Sequence, residues 1–325
     1  MKKNLIIVLA LIVFISCTAS KQKNEKEAEK MNIPTFSSDS AYLYIEHQTN
    51  FGPRVPNSSA HAACQQYLFH SLKRFGAEVI IQQADLQAFD GTILHAANII
   101  GSFSPAKENR ILLFAHWDSR PWADNDPEPA NRRQPVLGAD DGASGVGVLL
   151  EIARQLGQQL PNIGVDIIFF DAEDYGNSQS FQNENTNNSW CLGSQYWAEH
   201  PHKQNYQARF GILLDMVGAS QALFYKEYFS LTYAPQIVSK VWTEAKNLGF
   251  GQYFIDQQGG AITDDHFYVN KLRGIPSIDI IHYNPNSATG FPPYWHTLHD
   301  TMENIDKNTL LAVGTTLLHI IYNEK

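Results

Sequence analysis

Four short apolar runs stand out along the chain, and each one stops at a polar group. Ile111–Ala115 leads into His116-Trp117-Asp118-Ser119, and Val165–Phe170 leads into Asp171-Ala172-Glu173-Asp174. Phe210–Leu214 ends at Asp215, and Ile275–Ile281 ends at His282. Continuous apolar runs of this length, bounded by turn residues, predict strands buried on both faces. Between them the spacing changes to the helical repeat. Val146, Leu149, Leu150, Ala153 and Leu156 predict one helix, and residues 60–75 (stopped at Gly76), 235–248 and 308–322 predict three more. Strands alternating with helices give a single α/β domain whose mostly parallel, mixed central sheet is flanked by helices. In such sheets ligands bind beyond the carboxyl ends of the strands, where His116, Asp174 and Asp215 fall.

The first part of the chain follows another pattern. Lys2 and Lys3 precede an unbroken apolar run, Leu5–Ile15, that ends in Ser16-Cys17. A basic start and a short apolar core predict an export signal over residues 1–16. The run is shorter than the roughly 20 residues that a membrane-spanning helix needs. Phe14-Ile15-Ser16-Cys17 resembles a bacterial lipoprotein cleavage box, which implies a lipidated Cys17 as membrane anchor and a periplasmic or outer-membrane location; ordinary cleavage near Ala19 is the alternative. Residues 17–37, polar and rich in Lys and Glu, are expected to form a tether, with the domain over 38–325.

The 33 acidic against 24 basic side chains give a net charge of −9, and no basic stripe offers a nucleic-acid surface. Three cysteines make no disulfide framework; Cys64 and Cys191 either pair or stay apart as small core residues.

Charge matters most at the strand ends. Asp171, Glu173 and Asp174 place three carboxylates in four positions, a crowding that raises pKa values or calls for a cation. Asp140 and Asp141 lie in a Gly-rich loop (LGADDGASG) directly before a helix, where one Asp is explained as an N-cap and two are not. Tyr294–Asp300 (YWHTLHD) follows Phe291-Pro292-Pro293, a Pro-stiffened loop presenting Trp295 and His296. His47, His61, His70, His200 and His202 have no partner pattern and read as core or surface residues.

In this order the motifs resemble the M28 zinc-aminopeptidase clan: His116–Ser119, Gly138–Gly145, Glu173-Asp174, Leu214–Gly218 and Trp295–Asp300. Thr263-Asp264-Asp265-His266, then Leu272-Arg273-Gly274-Ile275-Pro276, then Phe291–His296 are similar to the animal-type glutaminyl cyclases in their bacterial lipoprotein form. That resemblance implies one zinc ion held by Asp141, Asp174 and His296, with Glu173 as general acid/base and Asp215 and Asp264 as supporting carboxylates. Trp295 and Phe291 would line the substrate pocket, with Trp190 a candidate third wall. The implied reaction closes an N-terminal Gln of a peptide or protein to pyroglutamate with loss of ammonia. Asp174 stands where the family usually has Glu, Asp279 where a cyclase has His, and Ala115 and Val146 lie near the places of two cysteines that animal members bridge. An Asn/Gln/Ser-rich insertion follows Asp174. The peptidase ligand set (His116, Asp141, Asp174, Asp215, His296) is also complete, so a di-zinc aminopeptidase is the alternative, followed by a non-catalytic peptide-binding lipoprotein.

Overall fold

The computed structural model describes residues 32–177 and 188–325. The export signal, Cys17 and most of the expected tether lie outside the described residues, as does the middle of the insertion after Gly176. Among the described residues no helix is long and apolar enough to cross a membrane.

The packed chain begins earlier than the tether boundary at residue 37. Phe36 is buried against Gly314, the Ser37 N–H donates to Glu151 (3.2 Å), and Gln155 donates to the Thr35 carbonyl (2.8 Å). An aromatic ring with a cavity to fill overrides the polar composition around it. Ser37 then caps α1 (Ser38–Thr49) by accepting from the Ser40 N–H, and Ser58 caps α2 (Ser59–Arg74) in the same way from His61.

Six strands form the main sheet. β1 (Glu78–Gln87) and β2 (Ile93–Phe103) pair as an antiparallel hairpin, and β2 runs antiparallel to β4 (Gly164–Phe170). β3 (Arg110–His116) lies parallel between β4 and β5 (Gly211–Asp215), and β5 lies parallel to β8 (Ser277–Ile281). β6 (Phe224–Lys226) and β7 (Phe254–Gln258) form a small second sheet. The remaining helices are α3 (Ala143–Gln158), α4 (Leu192–Glu199), α5 (Tyr228–Tyr233), α6 (Pro235–Asn247), α7 (Asp265–Tyr268, continued by a wider turn over Val269–Arg273) and α8 (Lys307–Asn323).

The four runs read from the sequence are β3, β4, β5 and β8, whose residues are buried throughout. Helices α1, α3 and α8 pack on one another and α3 packs on β3, β4 and β5. Phe114, Ile168, Phe170 and Leu213, with the alternate side-chain direction of their strands, meet Trp197 of α4 and Val269. Each such fully buried side chain contributes roughly 1.5–3 kcal/mol.

The order β4-β3-β5 positions the site. The chain leaves β3 for a neighbour on one side, through α3, and then crosses to the other side to lay down β5. The strand order reverses at β3, and the crevice at such a reversal is where open α/β sheets bind ligands.

Candidate active site and metal centre

His116 closes β3 and Asp215 closes β5, so both side chains stand over the crevice. The Asp118 carboxylate joins the neighbouring loops, accepting from the Glu173 N–H with one oxygen and the Asp174 N–H with the other, both at 3.1 Å. After β4 the backbone turns at Ala172, a non-glycine residue at φ +52°. That turn separates the crowded acids. Asp171 points into the fold, accepting from Ala97 N–H (2.6 Å) and Ala172 N–H (2.8 Å), with both oxygens 2.9 Å from His61 Nε2. His61, stacked on Trp117, is therefore a core histidine, and Asp171 is structural. Glu173 and Asp174 face the cleft.

The Gly-rich loop delivers the next group. Gly142, at φ +91°, leaves no room for a side chain: a Cβ there would lie 2.5 Å from the Asp118 carbonyl. Neither aspartate caps α3. Asp140 accepts from the Gly218 N–H (2.8 Å) and the Tyr294 hydroxyl (2.9 Å), while Asp300 accepts from the Asp140 and Asp141 N–H groups at 2.8 and 3.0 Å. Buried Arg54 donates to the Leu137 and Gly138 carbonyls. The loop is thus held on all sides, and the Asp141 side chain is left to the cleft.

His296 arrives from the far end of the chain, also at positive φ (+55°). Its Nε2 lies 3.1 Å from Asp174 Oδ1 and 3.6 Å from Asp141 Oδ2, and its Nδ1 lies 3.3 Å from Asp124. Asp141, Asp174 and His296 bring ligand atoms within 4.8 Å of one another, and so do His116, Asp141 and Asp215. Asp141 belongs to both groups. Apart from the His296 ring nitrogen beside Oδ1, both Asp174 oxygens are buried without a hydrogen-bond donor. Acceptor-only carboxylates, orphaned and converging on an imidazole nitrogen, fit a divalent cation of the zinc type. The Asp124 carboxylate behind His296 matches this, because a ring whose Nδ1–H is engaged offers a bare Nε2.

The electrostatics point the same way. Burial, then the neighbouring Asp141 charge, pushes Asp174 up to about 6. Burial likewise raises Asp215 to about 6 and, with Asp215 beside it, Asp264 to about 7. Burial opposes a charged imidazole at His296, yet Asp174 and Asp124 hold it up at about 9. Glu173 is pushed well above the carboxylate range by burial and by Asp264 and Asp174. A cation would relieve this crowding for the ligands, and Glu173 stands outside both ligand sets as a carboxyl of raised proton affinity.

The cleft holds about 500 Å³ and is lined by Trp190, Phe291 and Trp295 as well as Glu173, Asp215 and Asp264. The Trp295 ring stacks on His296 at 3.7 Å and meets Phe291 at 4.6 Å. Trp190 lies parallel to His296 at 5.9 Å, with the Arg120 guanidinium 4.6 Å over its ring. The structure therefore brings together all nine residues singled out from the sequence. Asp279, in the place of a cyclase histidine, is buried behind them with its Oδ2 3.8 Å from His266 Nδ1. Cys64 and Cys191 are both free and buried. Sequence reasoning missed Asp124, Arg120 and the contact of Cys191 with Glu173; none carries a repeat or motif that would have flagged it.

The model of peptidase family M28 matches residues 98–321, and the chain belongs to this family. Within it, the chain is similar to a glutaminyl cyclase from Bacteroides thetaiotaomicron, solved with N-acetylhistamine: 58% identity over 90% of this chain and 100% of that one, with a TM-score of 0.89. A Zn-dependent exopeptidase from Parabacteroides distasonis is 60% identical over 90% of this chain and 100% of that one, also at 0.89. Bovine glutaminyl-peptide cyclotransferase is 25% identical over 281 residues, 79% of this chain and 74% of its own length.

Proposed function

We propose that the protein is a glutaminyl-peptide cyclotransferase, closing the N-terminal Gln of peptides and proteins to pyroglutamate. The observation that carries this reading is Asp264 beside Glu173 in the cleft floor, in a chain 58% identical to a glutaminyl cyclase. In the reaction a bond forms between the α-nitrogen and the side-chain amide carbon, the carbon–nitrogen bond of the amide breaks, and ammonia leaves.

Asp141, Asp174 and His296 would hold one zinc ion, which when bound supplies Lewis-acid polarisation of the amide oxygen. The chain's own residues do the rest. The acidic floor of Glu173, Asp215 and Asp264 attracts the positively charged α-amine and draws it towards the metal side of the cleft. Trp190, Phe291 and Trp295 confine the Gln side chain and exclude water, favouring the folded-back conformer; such orientation is worth several kcal/mol when the nucleophile is already tethered. Glu173 takes the ammonium proton and returns it to the departing nitrogen, a role that typically gives roughly 10²–10⁴-fold.

A second reading rests on the group formed by His116, Asp141 and Asp215, which completes the ligand set of a di-zinc aminopeptidase. The test is to incubate the purified protein with a Gln-initiated and a Leu-initiated peptide and follow both by mass spectrometry. Loss of ammonia from the first supports the cyclase; shortening of the second, with two zinc ions per chain, supports the peptidase and overturns the proposal.

We also infer from residues 1–17 that the chain is exported and anchored through a lipid on Cys17, with residues after it as a tether. Labelled fatty acid should be incorporated into the wild type and lost in Cys17→Ala; a mature chain starting after Ala19 without label would contradict this.

A further inference from the structure

We infer that Cys191 is the positioning residue that fixes the Glu173 carboxylate for proton transfer. Cys191 is fully buried and sits at the N-terminal end of α4, outside the cleft lining. Its Sγ lies 3.0 Å from Glu173 Oε1 and donates to it, and its backbone N–H donates to the Glu173 carbonyl at 2.9 Å. The next residue, Leu192, donates to the Ala172 carbonyl at 3.0 Å. Residues 191–192 therefore clasp the turn that carries Glu173 by two backbone bonds, and the thiol adds a third contact on the side chain itself. Cys191 adopts the left-handed conformation, φ +58° and ψ +34°, which is costly for a residue with a Cβ. Such strain persists only where the surroundings enforce it, and here it coincides with the contact to the proton-transferring acid.

The inference rests on the cyclase reading, and it supplies what that reading lacks. The terminal torsion of a glutamate is soft and roughly two-fold, so an unanchored carboxylate swings. Glu173 is surrounded mainly by acids, with Asp174 next to it in the chain and Asp264 grouped with it and Cys191 within 4.8 Å. Those groups repel it rather than hold it. A buried thiol flanked by carboxylates keeps its proton, so it remains a donor at working pH. With Oε1 held, the other oxygen serves the cleft. A sulfhydryl is also a weak donor, so it orients the carboxylate with little loss of its proton affinity.

The experiment compares wild type, Cys191→Ser, Cys191→Ala and Cys191→Gly on a Gln-initiated peptide, with zinc content and thermal midpoint measured in parallel. Ser keeps a donor; Ala removes it; Gly removes it while tolerating the left-handed backbone, so one donor-free variant is expected to fold. The expected result is kcat lowered about tenfold in Ala and Gly, from the loss of geometry at a proton-transfer group. KM stays within about twofold, zinc is retained, and Ser recovers kcat to within about threefold. Wild-type kcat in either donor-free variant would overturn the inference. So would equal slowing of Ser, Ala and Gly, or loss of zinc and midpoint in step with activity, because packing alone explains those patterns. Absence of turnover by the wild type would sink the cyclase reading itself, whereas an active wild type with an equally active Cys191→Gly sinks only the role of Cys191.

Discussion

Asp124 stands behind His296 and fixes which ring nitrogen faces the ligand carboxylates, and Asp124→Ala tests that role. One Asp124 oxygen lies 3.3 Å from His296 Nδ1; the other accepts from Arg120 at 2.8 Å. Although burial works the other way, the hydrogen bonds from His296 and Arg120 hold the Asp124 carboxyl well below its usual range, so it is a carboxylate at any working pH. Removing it frees the ring to place its proton on Nε2, the nitrogen that faces Asp141 and Asp174. A hydrogen bond to a charged partner contributes about 1.5–3 kcal/mol, and each 1.4 kcal/mol or so is a tenfold change in affinity. Zinc affinity should fall about 10–100-fold, the range expected for an outer partner of a ligating histidine. Arg120 keeps its bonds to the Asp174 and Gly176 carbonyls, so the fold around the site should survive. Asp124→Asn, which keeps an acceptor but not the charge, should fall between. The assay is zinc competition against a chelator of known affinity, followed by turnover at saturating zinc, where kcat should largely recover. If Asp124→Ala bound zinc within about threefold of wild type, the assignment of His296 Nε2 as the ligand atom would fail.

Other expectations follow from the same geometry. His296→Ala should lose the metal outright, and stoichiometric zinc by atomic absorption in that variant would remove His296 from the ligand set. Gly176→Ala should displace the wall of the cleft, because a Cβ there would lie 2.0 Å from the Trp190 ring; the expected readout is a raised KM for Gln peptides with zinc retained, and an unchanged KM would remove Trp190 from substrate contact. Burial lowers His282 to about 4, so the folded protein keeps it neutral while the unfolded chain protonates near 6.5. Its contribution is therefore fully present above about pH 6.5 and is lost as pH falls towards 4, by up to about 3 kcal/mol. In chelator-treated protein, His282→Gln should show a flatter denaturant midpoint between pH 6.5 and 4.5 than wild type; parallel curves would contradict the assignment.

The central strands were legible because burial on both faces leaves a continuous apolar run, as in Ile111–Ala115 and Val165–Phe170. β1 was not, since its residues are partly exposed and mix Gln, Glu and Asp with Val and Ile, and β2 carries polar residues through its length. Phe36 shows the opposite failure: a single aromatic residue in a polar stretch has no period to betray it, yet it packs. In the site, the residues at strand ends and in the Gly-rich and Trp-His loops were visible as motifs. Their division of labour was not. Asp171 and Asp174 differ in role because the backbone reverses at Ala172, a conformation that no composition predicts. Asp124 and Cys191 act through contacts across loops, 172 and 18 residues from their partners. Such pairings depend on where the sheet places its loops, and they become visible only when the chain is folded.

The most direct measurement is Glu173→Gln, assayed for bound zinc and for ammonia release from a Gln-initiated peptide. The variant should bind zinc as the wild type does and keep its fold, while kcat falls by at least about 10²-fold, the lower end of what a positioned proton carrier supplies. Near-normal turnover with zinc in place would contradict the account, because Glu173, which lines the cleft beside Asp174 and stands free of both ligand groups, would then not be the group that moves the proton.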